Sequence, residues 1–264
     1  MIPAEEIRAA ASAASVPTST VERDLAQGWL LAGLSRASLA LKGGTGIRKA
    51  YLAGYRFSDD LDFTATGPVG LAEIDSTLHE AVASARESGL VPFETGLDVR
   101  ENRNGFVTEV RFGMLLTGRS SLKIKVDISK ESLEERLLPL AKRPLLHPYS
   151  DGCRATLTAY ALEEMAAEKV RSLFQRTRAR DLYDVHNLVV GQRIDASGFG
   201  ELLRKKFKAR SVAADLDGFT GRRPLFEGAW KRSLNHQLGA VPDFEGVYRE
   251  VLAVLERLGM SRRE

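Results

Sequence analysis

The stretch Leu41–Phe63, LKGGTGIRKAYLAGYRFSDDLDF, decides how this chain is read. The apolar run "SLAL" leads through Lys42 into a glycine pair, a short helical pattern follows in "TGIRKAYLAG", and then come three acids in four positions, Asp59, Asp60 and Asp62. In "DLDF" acidic and apolar residues alternate. A strand repeats every two residues, so Asp60 and Asp62 are expected on one face, about 7 Å apart, with Leu61 and Phe63 turned into a core. Glycines at positions 43 and 44 would let backbone N–H groups approach an anion closely, and a helix starting near Thr45 would add a favourable dipole. Together these pieces look like a seat for phosphate and a divalent metal, although a solvent-facing acidic turn is the ordinary source of such a run and only the apolar alternation argues against it. The spacing is neither G-x-x-x-x-G-K-[ST] nor G-x-G-x-x-G, so a P-loop and a dinucleotide fingerprint are both excluded.

Downstream, "GFVTEVRFGMLL" and "SSLKIKVDIS" read as strands. In the second, Leu122, Ile124, Val126 and Ile128 alternate with Lys123, Lys125, Asp127 and Ser129. If this strand neighbours "DLDF", Asp127 becomes a third carboxylate beside Asp60 and Asp62. Three carboxylates and a triphosphate suit Mg²⁺ or Mn²⁺, which prefer hard oxygen ligands, in a two-metal transfer site. Between the strands, "LAEIDSTLHEAVASARESG" predicts a long helix capped by its glycine. Upstream, "STVERDLAQGWLLAGL" predicts a helix opened by a Ser19–Glu22 capping box, with Leu25, Trp29, Leu30 and Leu31 at near-helical spacing. From about Leu157 the pattern is helical to the end, strongest in "TAYALEEMAAEKVRSLFQ", "RDLYDVHNLVV", "FGELLRKKFK" and "FEGVYREVLAVLERLG". The Pro- and polar-rich region 130–156 is the expected boundary. The fold class expected is therefore α+β, with an α+β domain over residues 1–140 and a helical domain over 141–264, the site lying in the cleft between them.

Composition agrees with an ordinary globular chain: 264 residues, 44% hydrophobic and 28% charged. No run of about eighteen apolar residues occurs, and the N-terminal segment carries acids where a secretory signal would be basic and then apolar. A cytoplasmic protein with no membrane partner is expected. Cys153 is the one cysteine, which excludes an intrachain disulfide, and the four histidines fall at no zinc spacing. Any metal would be held by oxygen. The net charge of +3 hides an asymmetry: residues 1–140 hold 16 Lys and Arg against 19 Asp and Glu, whereas 141–264 hold 22 against 16. A basic half suits a polyanionic substrate, although a solvated helical surface would have the same composition.

Taken in order, "LKGGT", "RFSDDLDF", "IKVDIS", "LEEMAAEKVRSL" and "RARDLYDV" resemble the AbiEii/AbiGii nucleotidyltransferase toxin family over roughly residues 38–190. The resemblance implies a nucleotidyltransferase fold of the polymerase-β-like kind, with a mixed sheet in the first domain and a helical second domain that completes the active site. It implies that Gly44 and Thr45 form a glycine-small motif, that Asp60 and Asp62 are the metal pair with Ser58 just before it, and that Lys125 and Asp127 form a Lys-x-Asp motif. It also makes Lys169 a nucleotide phosphate ligand and "RDLYD" a motif that closes the site, with Asp181 as general base or orienter of Lys169. Asp184 shares a helical face with Asp181, and the choice between them stays open. Without the resemblance, Lys169 would read as a surface lysine and Asp181 as an acid at a helix N-terminus.

Arg171, Arg176, Arg178 and Arg180 form the densest basic cluster beside that motif, and with "LLRKKFKAR" they are candidates for holding an RNA backbone. The function implied is a toxin that transfers NMP from an NTP to RNA, expected to be the 3′ end of tRNA, thereby blocking translation, with a cognate antitoxin encoded nearby. Two alternatives stand beside it: a small-molecule nucleotidyltransferase of the antibiotic-modifying kind, and a non-catalytic RNA- or protein-binding module. Asp60, Asp62 and Asp127 argue against the last, because three carboxylates crowded together without a cation would repel one another.

Overall fold

The computed structural model describes residues 2–114, 116, 121–195 and 197–261. Leu115 and Ser120, at the edges of two expected strands, lie outside the described residues. The chain divides into two compact units, Met1–Glu134 with Pro139–Tyr160, and Glu135–Leu138 with Ala161–Glu264.

The first unit opens with helices α1 (Ala4–Ala14) and α2 (Thr18–Gly33), then runs β1 (Leu39–Lys42), α3 (Gly43–Ala50), β2 (Asp60–Ala65), α4 (Leu71–Gly89), β3 (Arg100–Asn102), β4 (Gly105–Gly113), β5 (Ser121–Ser129), β6 (Ala141–Pro144) and β7 (Thr156–Ala159). Among the described residues these strands make one seven-stranded sheet in the order β3-β4-β5-β2-β1-β7-β6. It is mixed: β2 pairs β5 and β1 pairs β7 in parallel, and the other pairs are antiparallel. The alternation read in the sequence sets its two faces. Leu61 and Phe63 of β2 and Ile124, Val126 and Ile128 of β5 are buried with Leu25, Leu30 and Leu31 of α2 and Leu78 and Val82 of α4 in one core. Each such aliphatic side chain stabilises the unit by about 1.5–3 kcal/mol.

Four local expectations are corrected. Helix α2 starts after Pro17 with no side-chain cap, so Ser19 and Glu22 form no capping box. Glu22 is buried instead and accepts the Leu116 N–H at 2.8 Å. The left-handed residue ending α4 is Leu90, at φ 54°, and Gly89 stays helical. A Cβ on Gly89 would fall 2.4 Å from Trp29 Cδ2, so this glycine is there to let the indole approach. Helix α3 begins at Gly43, two residues before Thr45, which puts both glycines in its first turn. Finally, the sheet continues past residue 140 through β6 and β7, and Leu157 sits in a strand.

The second unit is helical: α5 (Leu162–Gln175), α6 (Ala179–Val185) running on into a π turn at His186–Val190, α7 (Phe199–Ala209), α8 (Leu216–Thr220), α9 (Arg223–Leu234) and α10 (Phe244–Arg257). An aromatic cluster fills its centre, with Phe219 stacked on Tyr248 at 5.3 Å, Phe174 edge-on to Phe207 at 5.3 Å and Trp230 edge-on to Phe244 at 5.6 Å. The buried Lys206 Nζ pairs with Glu164 Oε1 at 2.6 Å, and Glu164 also accepts the N–H groups of Leu137 and Leu138. Among the described residues no helix is long and apolar enough to cross a membrane.

Candidate active site

The middle of the sheet, β5-β2-β1, brings the acids together. Parallel register pairs Asp60 with Lys125 and Asp62 with Asp127, and antiparallel register pairs Asp62 with Lys42. Cα partners in adjacent strands project to the same face, so Asp62 and Asp127 are side-by-side neighbours and Asp60 follows two residues along. Nonlocal strand pairing thus supplies the third carboxylate that the alternation in "KIKVDIS" pointed to. Asp59 takes no part in that face: its Oδ1 accepts Arg23 Nη1 at 2.9 Å.

Helix α3 presses its first turn against these acids. Gly43 adopts φ +70°, and a Cβ there would lie 2.4 Å from Asp62 Oδ2. A Cβ on Gly44 would lie 2.8 Å from Arg56 Nη2 and 3.1 Å from Ser58 Oγ. At Gly43 the positive φ and the acid both call for glycine, whereas at Gly44 an added Cβ would have to displace the end of a guanidinium and a hydroxyl. Thr45, fully buried, donates its hydroxyl to the Asp60 carbonyl and so ties the helix start to the acidic strand. Gln27 of α2 donates to the Ser58 carbonyl at 3.0 Å, which fixes the residue before the acids. Arg56 went unnoticed in the sequence because an arginine before a polar turn reads as solvent-facing, yet it is buried against Gly44.

Lys125 Nζ stands 2.5 Å from Asp127 Oδ2, and this hydrogen bond, reinforced by the charges of Asp127, Asp60 and Asp62, raises the lysine pKa despite some desolvation. The ammonium thus lies within electrostatic reach of all three carboxylates. Lys42 is engaged elsewhere, donating to Glu134 Oε1 at 2.8 Å and Ser129 Oγ at 3.2 Å. Among the described residues no group of three or more His, Cys, Asp or Glu side chains is arranged to hold a metal ion. The donor chemistry fits one: three half-exposed carboxylates share a face, and a hard divalent cation prefers oxygen donors of that kind.

Helix α3 is itself anchored by charges buried in the first unit. Asp24 of α2 accepts Arg48 Nε at 2.7 Å, Lys49 Nζ at 2.8 Å and the Tyr149 hydroxyl at 2.8 Å. Burial pushes the Asp24 carboxyl up, but Lys49 and Arg48 outweigh it and hold it well below the usual carboxylate range. Burial likewise lowers the Lys49 pKa, and Asp24 restores part of the loss. These residues escaped the sequence reading, since adjacent cations on a short helix suggest solvent.

In the second unit, Lys169 bridges two acids, with Nζ 2.7 Å from Asp181 Oδ1 and 2.8 Å from Asp184 Oδ2. Arg176 Nε contacts Asp181 Oδ2 at 2.9 Å. Burial raises the Asp181 pKa, but Lys169 and Arg176 override it, so the carboxyl stays below its ordinary value. Asp181 and Asp184 are thus both partners of Lys169. Of the remaining arginines, Arg171 donates to Gln175, Arg178 is exposed just before α6 and Arg180 is half-buried on α6. Tyr183 packs in the interior, and His186 pairs with Glu250 at 2.8 Å.

Comparison with known proteins decides the family. The family model described as nucleotidyl transferase AbiEii toxin, type IV toxin–antitoxin system, matches residues 24–256. The chain belongs to the AbiEii nucleotidyltransferase toxin family. Membership implies an NTP substrate and an antitoxin partner for this AbiEii protein. Among solved structures it is similar to MenT4, a nucleotidyltransferase toxin from Mycobacterium tuberculosis H37Rv, at 20% identity and TM-score 0.62, covering 98% of this chain and 94% of that one. It is also similar to JHP933 from Helicobacter pylori, at 17% identity and TM-score 0.61, covering 92% of this chain and 93% of that one. These likenesses establish the α+β nucleotidyltransferase-like fold. No curated protein sequence matches it significantly.

Proposed function

We propose that this AbiEii toxin transfers a nucleoside monophosphate from an NTP to RNA, at the 3′ acceptor end of tRNA, and so blocks translation. The observation that supports transfer chemistry best is the register placing Asp62 beside Asp127, with Gly43 packed on the Asp62 carboxylate. Asp60, Asp62 and Asp127 would hold Mg²⁺ or Mn²⁺, which when bound neutralises the triphosphate and activates the acceptor hydroxyl. Gly43, Gly44 and Thr45 offer backbone N–H groups at a helix start to a phosphate, and Ser58 beside Gly44 adds a hydroxyl. Lys125 gives the carboxylates a resident counter-charge before substrate arrives.

Lys169 is assigned to the nucleotide phosphate, with Asp181 and Asp184 aiming its ammonium. A general base works best with a pKa near the operating pH, and Asp181, held low by Lys169 and Arg176, suits an orienting role instead. The acceptor oxygen then attacks the α-phosphorus, the bond to pyrophosphate breaks, and the acceptor proton leaves to solvent. RNA as acceptor is supported by the basic half of the chain, with 22 Lys and Arg against 16 Asp and Glu beyond residue 140. The test is to incubate the protein with each labelled NTP, Mg²⁺ and total RNA. A labelled band at tRNA size is expected. Label appearing on an aminoglycoside-type acceptor and on no RNA would overturn the RNA assignment.

A further inference from the structure

Residues 55–58 lead into the acidic strand β2 and are buried throughout, although the run contains an arginine. Arg56 is only 3% exposed. Arginine is almost never buried to this degree unless its head has a task, and here the head meets the glycine turn of the phosphate seat. We propose that Arg56 is a positioning residue of that seat: its guanidinium fills the side-chain space of Gly44 and so holds the first turn of α3 and the Ser58 hydroxyl in the relation in which both reach one phosphate of the NTP.

A Cβ on Gly44 would stand 2.8 Å from Arg56 Nη2 and 3.4 Å from its Cζ, so the end of the guanidinium lies directly against the backbone of the helix's first turn. Ser58 Oγ would stand 3.1 Å from the same point. The turn, the guanidinium and the hydroxyl therefore converge at one place. Arg56 Nη1 donates to the Phe57 carbonyl at 3.1 Å, which ties the guanidinium to the chain just before Ser58, and Gln27 holds the Ser58 carbonyl at 3.0 Å. A second arginine joins the same two segments in the opposite sense. Arg48 of α3 donates to the Tyr55 carbonyl, and its Cζ lies 3.7 Å from the centre of the Phe57 ring. Arg48 secures the far end of α3, and Arg56 secures its start.

The shape of the group explains why it is arginine. A planar guanidinium presents its two terminal nitrogens in different directions, one here to the Phe57 carbonyl and one to Gly44, whereas lysine ends in a single compact ammonium. The N–H groups of a helix's first turn have no intrahelical partners, and in α3 these are the donors assigned to phosphate. Gly44 has no side chain to brace that turn, and Arg56 supplies the brace. Because the guanidinium is shut off from solvent, it acts through Gly44 and Ser58 and does not itself touch the nucleotide. Its loss should weaken the hold on the triphosphate in ground and transition states alike, which raises KM for NTP and leaves kcat nearly unchanged.

This role rests on the reading of the chain as an NTP-dependent transferase, so binding is measured apart from transfer. The full chain, with Mg²⁺ and no RNA, is titrated calorimetrically with ATP, GTP, CTP and UTP, and the nucleotide bound most tightly is carried into a double-mutant cycle of Arg56→Lys and Ser58→Ala. Each single variant should weaken binding about tenfold, the worth of one charge-assisted hydrogen bond. The double variant should be little worse than either, since a hydroxyl that is no longer aimed has nothing left to lose. An arginine that served stability alone would lower the melting temperature and leave the Ser58→Ala loss at full size in both backgrounds. Should Arg56→Lys fail to fold, Arg56→Met, which fills the buried space with an apolar chain, replaces it in the cycle. Wild-type affinity in the folded Arg56 variant, or losses that multiply in the double variant, would overturn the assignment, as would a wild type that binds none of the four nucleotides. The expected cycle without transfer to any RNA supports the positioning role and refutes the proposed acceptor.

Discussion

Gly43→Ala tests whether the glycine turn exists for the Asp62 carboxylate. Two costs add at this position. Gly43 has φ +70°, where an alanine pays about 1–2 kcal/mol against its Cβ. The new Cβ would also stand 2.4 Å from Asp62 Oδ2, and displacing that carboxylate from its rotamer costs about 0.5–1.5 kcal/mol more. The variant should remain folded, melting roughly 5–10 °C lower. Activity should suffer far more, because moving a reacting group by about 1 Å can cost on the order of a hundredfold in rate. Gly54→Ala is the control: φ is +73° there, and nothing lies within 4 Å of a Cβ. It carries the same backbone cost and should transfer nucleotide normally. Both variants are compared by urea unfolding and by incorporation of labelled NTP into RNA. If Gly43→Ala kept wild-type turnover, or Gly54→Ala lost as much, the glycine would be serving the backbone alone and the link to Asp62 would be refuted.

Asp60→Ala or Asp62→Ala should abolish transfer with the fold intact, since several kcal/mol of charge stabilisation vanish; normal turnover in either folded variant would sink the carboxylate assignment. Lys169→Ala takes a cation from the buried Asp181 and Asp184 and leaves Asp181 with Arg176, so beyond impairing NTP use it should lower stability by up to about 3–5 kcal/mol in urea, an effect a surface lysine would not show. The Asp24 pKa is depressed in the folded state, so its contribution is present above the unfolded value of about 3.9 and fades as pH falls below it; Asp24→Asn should be less stable at pH 7 and lose less between pH 5 and 3 than wild type. Neutralising Arg176, Arg178 and Arg180 should flatten the salt dependence of RNA use by roughly one counterion per lost phosphate contact. Because Arg176 also holds Asp181, the Arg178/Arg180 double variant is the cleaner comparison, and a slope equal to wild type would remove these side chains from the RNA site.

What could be read from the sequence was local and periodic. The range of β2 was expected as found, and the alternation of β5 put Ile124, Val126 and Ile128 in the core, because a period of two assigns faces without knowledge of partners. The pairing itself was conditional: nothing local says that β5 lies parallel to β2 with Asp127 opposite Asp62. Strands β6 and β7 were missed since "AKRP" is polar and ends in a proline, and "TLTA" runs on into the helical pattern of "YALEEM". Ser19 and Glu22 matched a capping box, but Pro17 already sets the helix entry and Glu22 is drawn to the Leu116 N–H. A tertiary hydrogen bond outcompeted the local one. Buried polar partners such as Asp24 with Arg48 and Lys49 are the hardest to foresee, because a charged side chain signals solvent unless its counter-ion is known.

The two charged clusters differ in exposure, and that difference suits the roles proposed for them. In the second unit two carboxylates, Asp181 and Asp184, meet two cations, Lys169 and Arg176, at hydrogen-bonding distance. Both acids there are buried. In the first unit Asp60, Asp62 and Asp127 are instead half-exposed on one sheet face, with Lys125 on Asp127 and Lys42 on Glu134. Carboxylates on neighbouring strand positions repel one another, and those that keep contact with solvent remain open to an incoming hard cation. Under the proposed function the buried cluster therefore aims a lysine, and the half-exposed face is where a divalent cation would arrive with its phosphates.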